Sequence, residues 1–195
     1  MIEGDRLPTL AAGRVQLRWL ERHDIDALYE VFGDPEVMRF WSSPPLRDRA
    51  EAAELLAEIH ALFEDGTLFQ WGVALAAGGP AIGTCTLVWP HRESGRAELG
   101  FALGRAHWGR GYMGEALEAL LDYAFGPMGL RRLEADVDPR NAASLRLVER
   151  LGFKREGYLR ERWATAEEVQ DTVFWGLLKR EWAGLDGRRR RPDVD

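Results

Sequence analysis

Three apolar segments, 69–76, 81–89 and 96–103, are joined by links too short to hold a crossover helix. The first link centres on Gly78-Gly79-Pro80 and the second runs from His91 to Gly95. Connections this short join neighbouring antiparallel strands, so the middle of the chain is expected to be a meander. That expectation constrains the rest, because other elements must pack on this sheet or extend its edges.

Around the meander the periodicity changes. Residues 14–20 set Val15, Leu17 and Trp19 against Arg14, Gln16 and Arg18, the alternation of a half-buried strand. Asp24 is placed to cap a short helix through Phe32, with Pro35 as its breaker. Residues 41–45 read as a loop. Residues 47–65 place Ala50, Ala53, Leu55, Leu56, Ile59, Leu62 and Phe63 at helical spacing, stopped by Gly66. After the meander come a helix over 111–125, a strand over 132–137 and a helix over 141–151 stopped by Gly152. Residues 153–163 and 169–178 then form a closing antiparallel pair. The order β α α β β β α β α β β predicts an α/β (α+β) fold, with a mixed, mostly antiparallel sheet of seven strands.

Composition excludes several functions. At 195 residues with 46% hydrophobic and 30% charged residues, one domain is expected over 1–195, with 10–182 structured. No apolar run reaches about 20 residues and no leader-like start is present, so a cytoplasmic protein without a membrane span is expected. Cys85 is the single cysteine, and the four histidines make no His-x-x-x-His pair, so no metal site is expected. A net charge of -6 argues against broad nucleic-acid binding. The basic run Arg188 to Arg191, within 186–195, reads as a solvated mobile tail. A homodimer is the expected assembly only because symmetric pairs are commonest.

The chemistry concentrates in Trp108-Gly109-Arg110-Gly111-Tyr112-Met113-Gly114-Glu115-Ala116. Glycines at this spacing allow a tight turn, and the helix that follows starts with unpaired N–H groups that attract phosphates. Gly109, Gly111 and Gly114 also satisfy the dinucleotide pattern G-x-G-x-x-G, with Glu134 or Asp136 about 20 residues on. The hairpins on either side argue against that reading, since dinucleotide folds need parallel strands joined by helical crossovers.

A second motif is Asn141-Ala-Ala-Ser144-Leu-Arg146-Leu-Val-Glu149-Arg-Leu-Gly152-Phe153. Together the two motifs resemble the GNAT acetyltransferases, most of all the group related to ribosomal-protein N-terminal acetyltransferases. Their pattern is W-G-[KR]-G-Y-x-x-E-A, then a strand, then N-x-x-S-x-x-[LV]-x-x-x-x-G-F. The resemblance covers residues 10–182 and is densest between Glu98 and Phe153.

The resemblance implies acetyl-coenzyme A as co-substrate. It implies a splay between the fourth and fifth strands, 96–103 and 132–137, that admits the pantetheine arm beside the main chain of Phe101 and Leu103. Gly109, Arg110, Gly111, Tyr112, Met113 and Gly114 would hold the pyrophosphate, while Trp108 packs under the turn. Asn141 would cap its helix and reach the cofactor arm. Ser144, one turn on, would meet the thioester sulfur. Glu98 is the candidate base. Trp41, with Arg39 and Phe40, and Trp163 and Asp171 would line the acceptor side, Asp171 receiving a cationic amine or fixing the neighbouring loop.

The implied reaction is direct N-acetylation of an amine acceptor, a protein N-terminal α-amine or a small-molecule amine. An α-amine is about one-tenth neutral at neutral pH and a lysine under about a thousandth, so an α-amine needs only a modest base. Cys85 reads as a small buried residue, which disfavours an acyl-enzyme. A non-catalytic coenzyme A sensor and, more remotely, a nicotinamide-dependent oxidoreductase stay open as alternatives.

Overall fold

The computed structural model describes residues 4–165 and 168–183, and main chain only at 89–92. Eight strands form one sheet in the order β1-β2-β3-β4-β5-β6-β8-β7. They are β1 (Leu10–Ala12), β2 (Val15–Arg18), β3 (Leu68–Leu75), β4 (Ala81–His91), β5 (Arg96–Leu103), β6 (Arg132–Val137), β7 (Lys154–Ala164) and β8 (Val169–Leu178). Five α-helices are interleaved among the described residues, α1 (Ile25–Phe32), α2 (Pro35–Met38), α3 (Arg49–Glu64), α4 (Tyr112–Phe125) and α5 (Ala142–Arg150), and residues 179–183 after β8 are helical too. The tail at 186–195 lies outside the described residues.

Strands β3, β4 and β5 form the meander predicted from their short links. The exception to antiparallel pairing is β5 with β6, and α4 is the crossover this parallel pair requires. Helices cover both faces of the sheet at β3, where every residue from Phe69 to Ala74 is buried, whereas β5 and β6 alternate buried with half-buried residues. Trp71, Leu87, Leu117, Leu120, Leu133 and Val148 belong to the core under α4 and α5. Leu20, Leu28, Val31, Leu56 and Ile59 belong to the core under α1 and α3.

Three local expectations need correction. An eighth strand, β1, pairs with β2 across the tight turn at Gly13, whose φ is 64°. Pro35 does not simply break a helix: it is the first residue of α2, where its missing N–H costs nothing, and the Asp34 carboxylate accepts from the Glu36 amide at 2.9 Å. Asp24 precedes α1 but its side chain does not cap that helix. It is fully buried and bound by both terminal nitrogens of Arg18 at 2.7 Å. It also accepts from the amides of Glu21 at 3.0 Å and Ala81 at 2.9 Å. Burial alone would raise the Asp24 pKa, but these partners outweigh it and the net shift is downward.

The seam between β5 and β6 positions the site. Its register runs Arg96↔Arg132, Ala97↔Leu133 and Glu98↔Glu134, and pairing stops there. Beyond Glu98, β5 stays with β4 through Leu103 while β6 stays with β8 through Val137. The two strands therefore open into a wedge.

Candidate active site

Gly104 donates its N–H to the Ile82 carbonyl at 2.8 Å, which fixes the hydrogen-bond phase of β4 and β5. The alternation then turns the main-chain groups of Leu99, Phe101 and Leu103 towards β6 and into the wedge. Those of Leu99 and Phe101 face a cavity, while the Leu103 carbonyl accepts from the Trp108 indole at 2.6 Å. Trp108 is not packed under the glycine turn as expected: it is 47% exposed and braces the end of β5 through that indole.

The wedge encloses about 200 Å³, lined by Phe40, Trp41, Glu98, Phe101, Asp136, Asn141, Ser144, Trp163 and Asp171 among others. Residues from four distant stretches of the chain thus meet at one opening. Asn141 caps α5 by accepting the Ser144 amide at 3.1 Å. The Ser144 hydroxyl, one turn into the helix, makes no hydrogen bond among the described residues and borders the cavity. Leu103 and the glycine turn lie outside this cavity's lining.

Glu98 faces Glu134 across the seam, with Asp136 two residues further along β6. Arg96 and Arg132 neutralise Glu134 at 2.7 and 2.8 Å, but none of the described residues hydrogen-bonds the Glu98 carboxylate. Its pKa is raised, first by burial and then by the negative charge of Asp136.

In the sequence Asp136 stands out only through the dinucleotide pattern. Its Oδ1 accepts from the Thr172 hydroxyl, and its buried Oδ2 has no hydrogen bond, with Arg162 Nε at 3.5 Å. Trp163 lines the cavity, and it follows a bulge of β7 between Leu159 and Trp163, opposite Asp171. Glu161, at the bulge, has a φ of 53°, an unusual conformation for a non-glycine residue. Asp171 holds it there, accepting from the Glu161 amide at 2.8 Å and the Tyr158 hydroxyl at 2.6 Å. The signal for Asp136 was its place in β6 opposite the buried Leu133, Ala135 and Val137.

The glycine turn has the form its sequence demands. Gly109 and Gly111 have φ of 72° and 82°, and nothing lies within 4 Å of where a Gly109 Cβ would sit. The first intrahelical acceptor of α4 is the Gly111 carbonyl, taken by Glu115 N. The N–H groups of Tyr112, Met113 and Gly114 therefore have no intrahelical partner, which suits an anion. Arg14, read from the sequence as an exposed strand residue, holds the turn from below. It donates to the Glu115 carboxylate and to the Arg110 carbonyl, each at 2.8 Å. A glycine cradle with free amides, followed by a wedge with free main-chain groups, fits a pyrophosphate carrying a thin pantetheine arm.

A second, larger space of about 980 Å³ lies on the α3 side of the sheet. Trp41, Glu98 and Gly100 line both spaces. Cys85 borders neither: it is fully buried, its thiol donates to Met113 Sδ at 3.5 Å, and burial pushes its pKa up. Among the described residues no three His, Cys, Asp or Glu side chains gather as around a metal ion, and no helix is long and apolar enough to cross a membrane.

Residues 14–154 match the family model described as an acetyltransferase (GNAT) domain. An uncharacterized N-acetyltransferase, p20, of Bacillus licheniformis is 36% identical over 178 residues, covering 91% of this chain and all of that protein. The spermidine N(1)-acetyltransferase of Escherichia coli is 28% identical, covering 88% of this chain and 90% of its own. A solved structure from Chromobacterium violaceum, described as a probable acetyltransferase of the GNAT family, superposes with a TM-score of 0.80 at 28% identity, covering 91% and 90% of the two chains. Spermidine N-acetyltransferase from Vibrio cholerae, solved with CoA and spermine, shares the fold at a TM-score of 0.77 and 24% identity, covering 87% and 98%.

Proposed function

Because this chain belongs to the GNAT family of acetyl-coenzyme A-dependent acetyltransferases, we propose that it acetylates a primary amine directly, with the amine seated beside Glu98. The observation that carries this reading is the parting of β5 and β6 immediately after Glu98↔Glu134, which leaves Glu98 and Ser144 on the lining of one opening.

Acetyl-coenzyme A supplies an activated thioester. The residues of this chain do the rest. The amides at the start of α4 and the turn around Gly109 and Gly111 take the pyrophosphate, with the helix dipole favouring its charge. The wedge-facing main chain of Leu99 and Phe101 pairs with the pantetheine arm as an added strand would. Glu98 accepts the proton of the incoming amine, directly or through a water, and its raised pKa makes it a stronger base than an ordinary carboxylate. The Ser144 hydroxyl hydrogen-bonds the sulfur as it departs. The burial of Cys85 supports a mechanism with no acyl-enzyme.

The test is an acetyl-transfer screen with small amines, amino acids and N-terminal peptides, read as free thiol released, alongside calorimetry with coenzyme A. The expected result is micromolar to millimolar binding and thiol release with at least one amine class. Binding without transfer to any amine overturns the proposal.

A further inference from the structure

The larger space is a groove between α3 and the sheet, and its lining is sorted by chemistry. Its floor carries Leu68 and Gln70 from β3, Thr86 and Val88 from β4, and Glu98 and Gly100 from β5. One wall is apolar, with Phe32, Met38, Trp41 and Leu55. The α3 rim carries Glu51, Glu54 and Glu58, which helical spacing sets along one side. Glu51 is consumed by Arg47, the one basic residue in the lining. Glu54 and Glu58 are exposed and make no hydrogen bond or ion pair among the described residues.

A second, independent feature lies on the floor. Gln70 and Thr86 face each other across β3 and β4, are 7% and 8% exposed, and line the groove. Neither side chain has a hydrogen-bond partner among the described residues. Their side chains are more than nine-tenths covered by protein and their polar ends open only onto the groove, so a ligand N–H can take the place of water there.

We propose that the groove selects an aliphatic amine with an apolar spacer and at least one further cationic nitrogen, a di- or polyamine; this rests on the amine acetylation proposed above. The reacting nitrogen sits at Glu98, where the groove meets the wedge. The methylene spacer covers Leu55, Leu68 and Val88, Gln70 and Thr86 accept from an N–H, and the far ammonium lies along Glu54 and Glu58. An acceptor ending in a carboxylate would meet like charge at that rim.

The test compares butane, pentane and hexane diamines with butyl-, pentyl- and hexylamine, and with amino acids of equal chain length, at neutral pH. The expected kcat/KM for the best diamine exceeds that of its matched monoamine by about tenfold, each exposed carboxylate contributing about three- to fivefold. The preference shrinks as salt rises, because these charges are screened over about 10 Å. Glu54→Gln with Glu58→Gln brings the diamine-to-monoamine ratio close to one. Equal rates for diamines and monoamines, preference for the amino acids or for neutral N-terminal peptides, or an unchanged ratio in the double variant overturns the inference while leaving amine acetylation standing. Coenzyme A binding without transfer to any amine overturns both.

Discussion

Arg14 and Glu115 are 101 residues apart in sequence and are bound to each other by main chain and side chain together. The Arg14 amide donates to one oxygen of Glu115 at 2.8 Å, and its guanidinium donates to the other oxygen, also at 2.8 Å. The guanidinium also holds the Arg110 carbonyl and lies 5.0 Å from the centre of the Tyr112 ring. The first hairpin of the sheet is thus fastened to the turn expected to take the pyrophosphate.

Arg14→Ala should therefore loosen that turn without touching the chemistry. The expected effect is a rise of about fivefold in the Kd for coenzyme A by calorimetry, as suits an exposed pair, with little change in kcat at saturation. An equal fall in kcat would place Arg14 in the catalytic step instead.

Glu98→Gln should lower kcat by about a hundredfold or more, the usual worth of a general base. In the parent protein kcat/KM should rise with pH through an ionisation above the ordinary carboxylate range, because burial and then Asp136 raise the Glu98 pKa. The variant should lack that limb. A carboxylate whose folded pKa is raised lends stability below its unfolded pKa and loses it as pH rises through the folded value. Glu98→Gln should therefore melt no lower than the parent at neutral pH, which separates lost catalysis from lost fold.

Ser144→Ala should slow turnover more than it weakens coenzyme A binding. Asn141, not the Ser144 hydroxyl, caps α5, so the helix survives the change. Equal losses in kcat and in affinity would make Ser144 a binding residue only.

Asp24→Ala should destabilise the protein by about 3–5 kcal/mol in urea unfolding, since it leaves Arg18 and two amides without their buried partner. The Asp24 pKa is lowered overall, the bonds from Arg18 and the amides outweighing burial. Its contribution is then present above the unfolded carboxylate pKa and fades as pH falls through the folded value. The parent should lose more stability than Asp24→Asn on acidification.

Elements whose signal is local were legible in the sequence. Strands β5 and β8 have the expected limits, and α4 begins one residue after its glycine. Two features depended on distant partners and were not legible. Asp24 looks like a cap until Arg18 and Ala81 arrive around it. Strand β1 is three residues long and exists through its register with β2. The site divides the same way. The glycine turn and the Asn141–Ser144 helix carry their chemistry in their spacing, whereas Asp136, Gln70 and Thr86 gain meaning only when β3, β4, β6 and the β7 bulge are placed around them.

Gly100 lies where the wedge and the groove adjoin, and a methyl group there would meet only the Thr86 Cβ, at an ordinary 3.7 Å. The throat is therefore kept open by the absence of a side chain rather than by any strained architecture. A larger residue at this doorway would fill the passage between the two chambers, so the bareness of position 100 sets how wide a guest can come through to the acetyl group.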